Sequence, residues 1–117
     1  MKIQHYSHTK GIEAAPGVIM HVVAGPAEGA PAFVMRVFEI QPGCCTPHHA
    51  HPWEHEMFIV SGKGMMVSGE NRTPLRDGDA LMVLPDELHS IVNTGNELLK
   101  LVCMVPLVNG VMPGTPK

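Results

Sequence analysis

Short apolar runs broken by turn residues organise this chain. The run at 18–24 stops at Gly25-Pro26, and the run at 33–41 stops at Pro42-Gly43. Those at 57–60 and 65–68 stop at Ser61-Gly62-Lys63-Gly64 and Gly69-Glu70-Asn71. A strong turn, Arg76-Asp77-Gly78-Asp79, precedes the run at 80–84, and Asn93-Thr94-Gly95-Asn96 precedes the run at 98–105. Runs of roughly four to eight residues between Gly, Pro, Asn and Asp turns mark β-strands. About nine such runs in one small chain predict a β-sandwich or barrel. No stretch keeps a helical period across three turns without a Gly or Pro, so no helix is expected. The segment 25–31 (GPAEGAP) reads as a loop and the tail 109–117 as a frayed, flexible end.

Composition narrows the picture. A chain of 117 residues is one domain's worth. Hydrophobic residues at 44% and charged residues at 16% favour a folded chain over a disordered one. A net charge of −3 leaves no basic surplus to grip a phosphate backbone, so nucleic acid is not an expected partner. No apolar run approaches the ~20 residues of a membrane span, and MKIQHYSHTK lacks an apolar signal core. A soluble, cytoplasmic protein is the expectation. Cys44 and Cys45 are neighbours and Cys103 is the odd one out, which argues against a disulfide framework.

The candidate chemistry lies between residues 43 and 62, GCCTPHHAHPWEHEMFIVSG. His49 and His51 are two apart, and on a strand that spacing puts both on one face. His55 follows four residues later and can return to that face on the next strand; His89 arrives from a distant strand. This pattern suits a metal site in a β-barrel, with zinc, copper, iron, nickel and, less tightly, manganese as the candidate ions. The cluster is mid-chain and interleaved with Pro, Trp and Glu, which excludes a tag. His5, His8 and His21 read as ordinary surface or hydrogen-bonded residues.

These residues resemble the cupin superfamily, whose first motif is G-x5-H-x-H-x3,4-E-x6-G. Gly43, His49, His51, His55 and Gly62 fit its spacing, with His55 in the usual glutamate position. The second motif is matched in order by Gly78, Pro85, His89 and Asn93, with Glu87 near the expected glycine. The resemblance covers nearly the whole chain. It implies an all-β, double-stranded β-helix (jelly-roll-like) barrel over about 33–106, with N-terminal strands in 1–32. It also implies one divalent transition metal ion held by His49, His51, His55 and His89. Within the superfamily the chain is most similar to small monodomain cupins with four-histidine sites, some of which bind manganese and carry out oxygen chemistry such as oxidative alkene cleavage. Glu56 is a rival third ligand, since four residues after His51 also fits the motif. The spacing to Gly62, and the apolar Met57 and Ile59 on its strand face, favour His55, leaving Glu56 to orient an imidazole. His48 alternates away toward solvent or an interface.

Four neutral imidazoles leave the ion's full charge in place, which favours anionic ligands. Strand phase adds two pocket candidates. Arg36 shares a face with Val34, Phe38 and Ile40, and either holds a substrate carboxylate or pairs with a structural acid. Cys103 points inward, as a small hydrophobe or a neighbour of the metal. Trp53 reads as packing between Pro52 and the barrel edge, and the nine methionines as an adaptable apolar lining. Cys44 and Cys45 fall near the barrel mouth with no assignable role. The implied function is a dioxygenase-type oxidoreductase acting on a small organic molecule. The alternatives are a non-catalytic small-molecule or metal-binding module, a cupin isomerase or lyase, and a barrel stapled by structural zinc. Resemblance also implies a homodimer formed through barrel faces and an exchanged strand at residues 1–6.

Overall fold

The segment LKLVCMVP, residues Leu99–Pro106, buries Leu99, Leu101, Cys103 and Val105 and leaves the residues between them only half-covered. A period of two is what a strand needs to cover a core with one face. In the computed structural model, which describes residues 1–114, this segment is the last of nine strands. The strands are β1 (Gly11–Ala15), β2 (Val18–Ala24), β3 (Phe33–Ile40), β4 (His55–Ser61), β5 (Lys63–Ser68), β6 (Asn71–Arg76), β7 (Ala80–Val83), β8 (Ser90–Asn93) and β9 (Leu99–Pro106). One sheet runs β1-β2-β3-β9-β4-β7 and the other β6-β5-β8, with every pairing antiparallel. The result is an all-β, jelly-roll-like fold. No helix among the described residues is long and apolar enough to cross a membrane.

The two sheets face each other across one core. Val18, Val34, Ile40, Ile59, Leu99 and Leu101 come from the large sheet, and Leu75 and Ile91 from the small one. Each such side chain contributes roughly 1.5–3 kcal/mol through burial. Asn93 joins the layers from within. Its Nδ2 donates to the carbonyls of Ile40 and Glu97 at 2.7 and 2.8 Å, and its Oδ1 accepts from Gly95 N at 2.9 Å.

Register sets the inner face next to the site. Arg36 lies directly across from Cys103, and Met57 flanks Cys103 on the other side. Alternation along β4 then points His55 inward with Met57 and Ile59, and turns Glu56 out.

Several expectations need correction. His49 and His51 do not sit on a strand. Pro47 and Pro52 lack the N–H a ladder needs, so this segment is irregular and makes single bridges, Cys45 to Val92 and His49 to His89. The loop at 25–31 contains a 3-10 turn, Pro26–Glu28, in which Glu28 Oε1 accepts from Gly25 N at 2.8 Å. Residues 1–5 form no strand. Tyr6 opens a second 3-10 turn and packs on its own chain, its hydroxyl donating to Glu39 at 3.1 Å while Lys100 Nζ sits 4.8 Å above its ring. Within the tail, Val108 and Val111 bond each other's backbones, and Met112 packs against the core. Residues 115–117, the rest of that expected flexible end, lie outside the described residues.

Candidate metal centre

Three of the expected ligands converge. The ligand nitrogens of His49, His51 and His89 all lie within 4.8 Å of one another. Backbone pairing causes this, since His49 N donates to His89 O at 3.1 Å and His89 N to His49 O at 2.9 Å. Asp86 N also donates to His51 O, tying the loop before β8 to the first histidine segment. Asp86 takes a left-handed conformation, φ 65. The residue with a glycine-like backbone here is therefore Asp86, next to Glu87.

His55 adjoins the trio. Its ring centroid is 4.9 Å from that of His51 and 5.1 Å from that of His89, although its nitrogens fall outside the tight three-residue group. His55 Nδ1 lies 3.2 Å from Cys103 Sγ and 3.4 Å from Arg36 Nη2. Its Nε2 is buried without a hydrogen-bond partner. His89 is held differently: Nδ1–H donates to the Glu87 carbonyl at 2.8 Å, which leaves the Nε2 lone pair free. His51 stacks on Trp53 with centroids 4.5 Å apart and planes 4° from parallel.

Burial and mutual repulsion favour the neutral form of the His49, His51 and His55 rings. Desolvation, followed by the charges of His49, His89 and Arg36, lowers the His51 pKa from 6.5 to about 4. Desolvation and then Arg36 lead the causes that lower His55 to about 3. His49 is lowered by the same burial and by His89. Neutral imidazoles are the form that ligates metal. The donor set and the orphaned His55 Nε2 thus fit a divalent transition ion, with Arg36 and Cys103 behind the His55 ring.

The histidines form one end of a cavity of about 300 Å³. Val18, Met20, Phe38, Ile91 and Leu101 make apolar walls, and β1 and the Met112–Gly114 segment border the mouth. Arg36 and Cys103 reach this cavity as their strand phase implies. Glu56 does not; it is exposed on the outer face of β4. His48 is exposed as well, accepting from Gly69 N at 3.3 Å. Cys44 is half-buried, Cys45 exposed and Cys103 buried, all three with free thiols. His21 is on the opposite face of the sheet, bonded to Thr9 at 3.0 Å and 3.5 Å from Glu39. The roles of Trp53 and the C-terminal segment are additions from the structure. The only sequence signal for the first is its place two residues after His51.

Residues 36–105 match the Cupin domain family, and the chain belongs to it. An oxalate-binding protein from Thermotoga maritima is 28% identical over 89 residues, which is 75% of this chain and 74% of that protein. The polyketide cyclase RemF from Streptomyces resistomycificus superposes with a TM-score of 0.83 at 25% identity, covering 91% of this chain and 79% of the cyclase. A cupin 2 domain-containing protein from Halorhodospira halophila does so with a TM-score of 0.73 at 34% identity, covering 83% and 69%.

Proposed function

We infer that this chain is a metal-dependent cupin enzyme, a dioxygenase-type oxidoreductase acting on a small organic molecule. The observation that carries this is a set of imidazoles gathered at one end of an apolar cavity, with His55 Nε2 buried and unpartnered beside them. In this reading His49, His51 and His89 hold one divalent transition ion and His55 completes the set. When bound, the ion supplies Lewis-acid polarisation and, if redox-active, a means of activating dioxygen.

The chain's own residues do the rest. The Glu87 carbonyl fixes the His89 ring, and Cys103 and Arg36 back the His55 ring. Trp53 packs flat on His51 and holds its orientation. The apolar walls exclude water and orient a substrate against the histidine end. Among the described residues the only carboxylate in the lining is Glu13, exposed on edge strand β1. With no buried general base, oxygen chemistry suits the cavity better than hydrolysis, and better than an isomerase or lyase that moves a proton within the site. Three free thiols suit a reducing, cytoplasmic setting.

Replacing both His49 and His51 with alanine is expected to abolish stoichiometric metal binding and metal-dependent dioxygen uptake while the protein stays folded. Glu56→Ala should keep full metal. A double variant that retains its metal overturns the ligand assignment, and retained metal with no turnover of any candidate substrate favours the binding-module reading.

A further inference from the structure

Among the described residues, three buried side-chain polar atoms lack a hydrogen-bond partner: Arg36 Nε, Trp53 Nε1 and His55 Nε2. All three residues line the same cavity. A ligand ion accounts for the histidine but not for two orphaned N–H donors, which need an acceptor.

Arg36 is the stronger of the two. It is only 8% exposed, and no carboxylate among the described residues lies within ion-pair distance of it. Its guanidinium has five N–H donors. What they find is Met20 Sδ at 3.7 Å from Nη1, and Cys103 Sγ at 3.0 Å and His55 Nδ1 at 3.4 Å from Nη2. Thioether and thiol sulfurs are weak acceptors, and a metal-binding His55 offers Nδ1 as a donor, not an acceptor. The Phe38 ring, 5.1 Å from the guanidinium carbon, recovers part of the lost hydration. Burying a cation without a counter-charge costs several kcal/mol. A fold retains such a group where a ligand supplies the missing charge.

We propose that the cavity takes an organic monocarboxylate with an apolar body, its carboxylate paired to Arg36 and its body against Val18, Met20, Phe38 and Leu101. This deepens the enzyme reading by naming its substrate class. A carboxylate matches the guanidinium fork with two parallel bonds, and apolar walls reward a hydrocarbon body and penalise a second buried anion. A cavity of about 300 Å³ exceeds what oxalate fills and falls at the small end of ligand sites. The expected ligand therefore differs from that named for the Thermotoga relative.

The test uses chelator-stripped protein, so that it stands apart from the metal assignment. Benzoate, cinnamate and octanoate are titrated beside their neutral amides and beside oxalate, followed by calorimetry and by fluorescence of Trp53, the sole tryptophan. At least one acid should bind one per chain, and at least about tenfold tighter than its amide, the scale of a charge-assisted bond. Arg36→Met should remove that preference, and Arg36→Lys should keep part of it. If Arg36→Met does not fold, the acid–amide comparison in the unsubstituted protein decides alone. The proposal is overturned if no acid saturates the protein at millimolar concentration, if acid and amide bind alike, if oxalate binds tightest, or if folded Arg36→Met keeps the preference. Metal retained in the His49 and His51 double variant, with acid binding intact, sinks the metal assignment and leaves the carboxylate site standing.

Discussion

His55 and His89 reach the same end of the cavity, yet their second nitrogens face different groups. His89 donates to a fixed backbone carbonyl, whereas His55 faces a thiol and a guanidinium. Burial first, and the cationic Arg36 second, make protonation of His55 unfavourable, and this has a pH consequence. In the unfolded chain His51 and His55 titrate near 6.5, whereas in the fold they do so at about 4 and about 3. As pH falls below 6.5, the unfolded chain takes up protons that the fold refuses, so stability drops. The metal-free protein is expected to hold a constant Tm above pH 6.5 and to lose stability steadily toward pH 4, as calorimetry checks. An unchanged Tm across that window contradicts the buried, neutral cluster. At this scale the sequence was most informative where the motif positions carried the signal, as at His49, His51 and His89, whose ligand nitrogens converge. Trp53 against His51 and the left-handed Asp86 depend on how separate segments meet, and no local pattern encodes that.

The strands were legible because each is a short apolar run closed by turn residues. β2 appears at the bounds its run sets, β3 ends one residue before its run does, and β9 is its run shifted by one residue. β4 begins two residues before its apolar run, because its polar first residue is the inward-facing His55. β6 escapes easy reading, since Pro74 lies inside it; the strand is tolerable because β6 is the edge of its sheet. The histidine segment misled in the opposite sense, its period-two spacing arising in an irregular loop pinned by one bridge. Gly62, which ends the first motif, joins β4 of the large sheet to β5 of the small one. It adopts φ +110, and a Cβ there would lie 2.9 Å from both Leu98 O and Leu99 Cα. Gly62→Ala is therefore expected to cost about 2 kcal/mol or more in a denaturant titration. A loss below about 0.5 kcal/mol, ordinary for a neutral surface change, would refute that packing account.

Across the whole molecule, the large sheet has an inner face devoted to the cavity and an outer face that remains apolar. Phe33, Met35, Phe58, Val60, Met82 and Leu84 are all exposed there. By register, Met35, Met104, Glu56 and Met82 form one continuous row across four strands. A patch of this kind calls for a cover, and we propose a second copy of the chain, pairing these faces in a homodimer. Because Tyr6 is already engaged on its own sheet, the dimer does not require an exchanged N-terminal strand. Light scattering is expected to give twice the 12.6 kDa chain mass, with Phe58→Lys giving a monomer; a monomeric parent protein contradicts it.

The histidine end of the cavity is expected to hold a functional transition ion. Elemental analysis of untagged protein, purified without chelators or added metals, tests it most directly. About one manganese, iron, copper or nickel per chain is expected, removed by chelation without unfolding the barrel. A chain that is empty and takes up none of these ions stoichiometrically contradicts it, as does one that holds only zinc and unfolds on losing it.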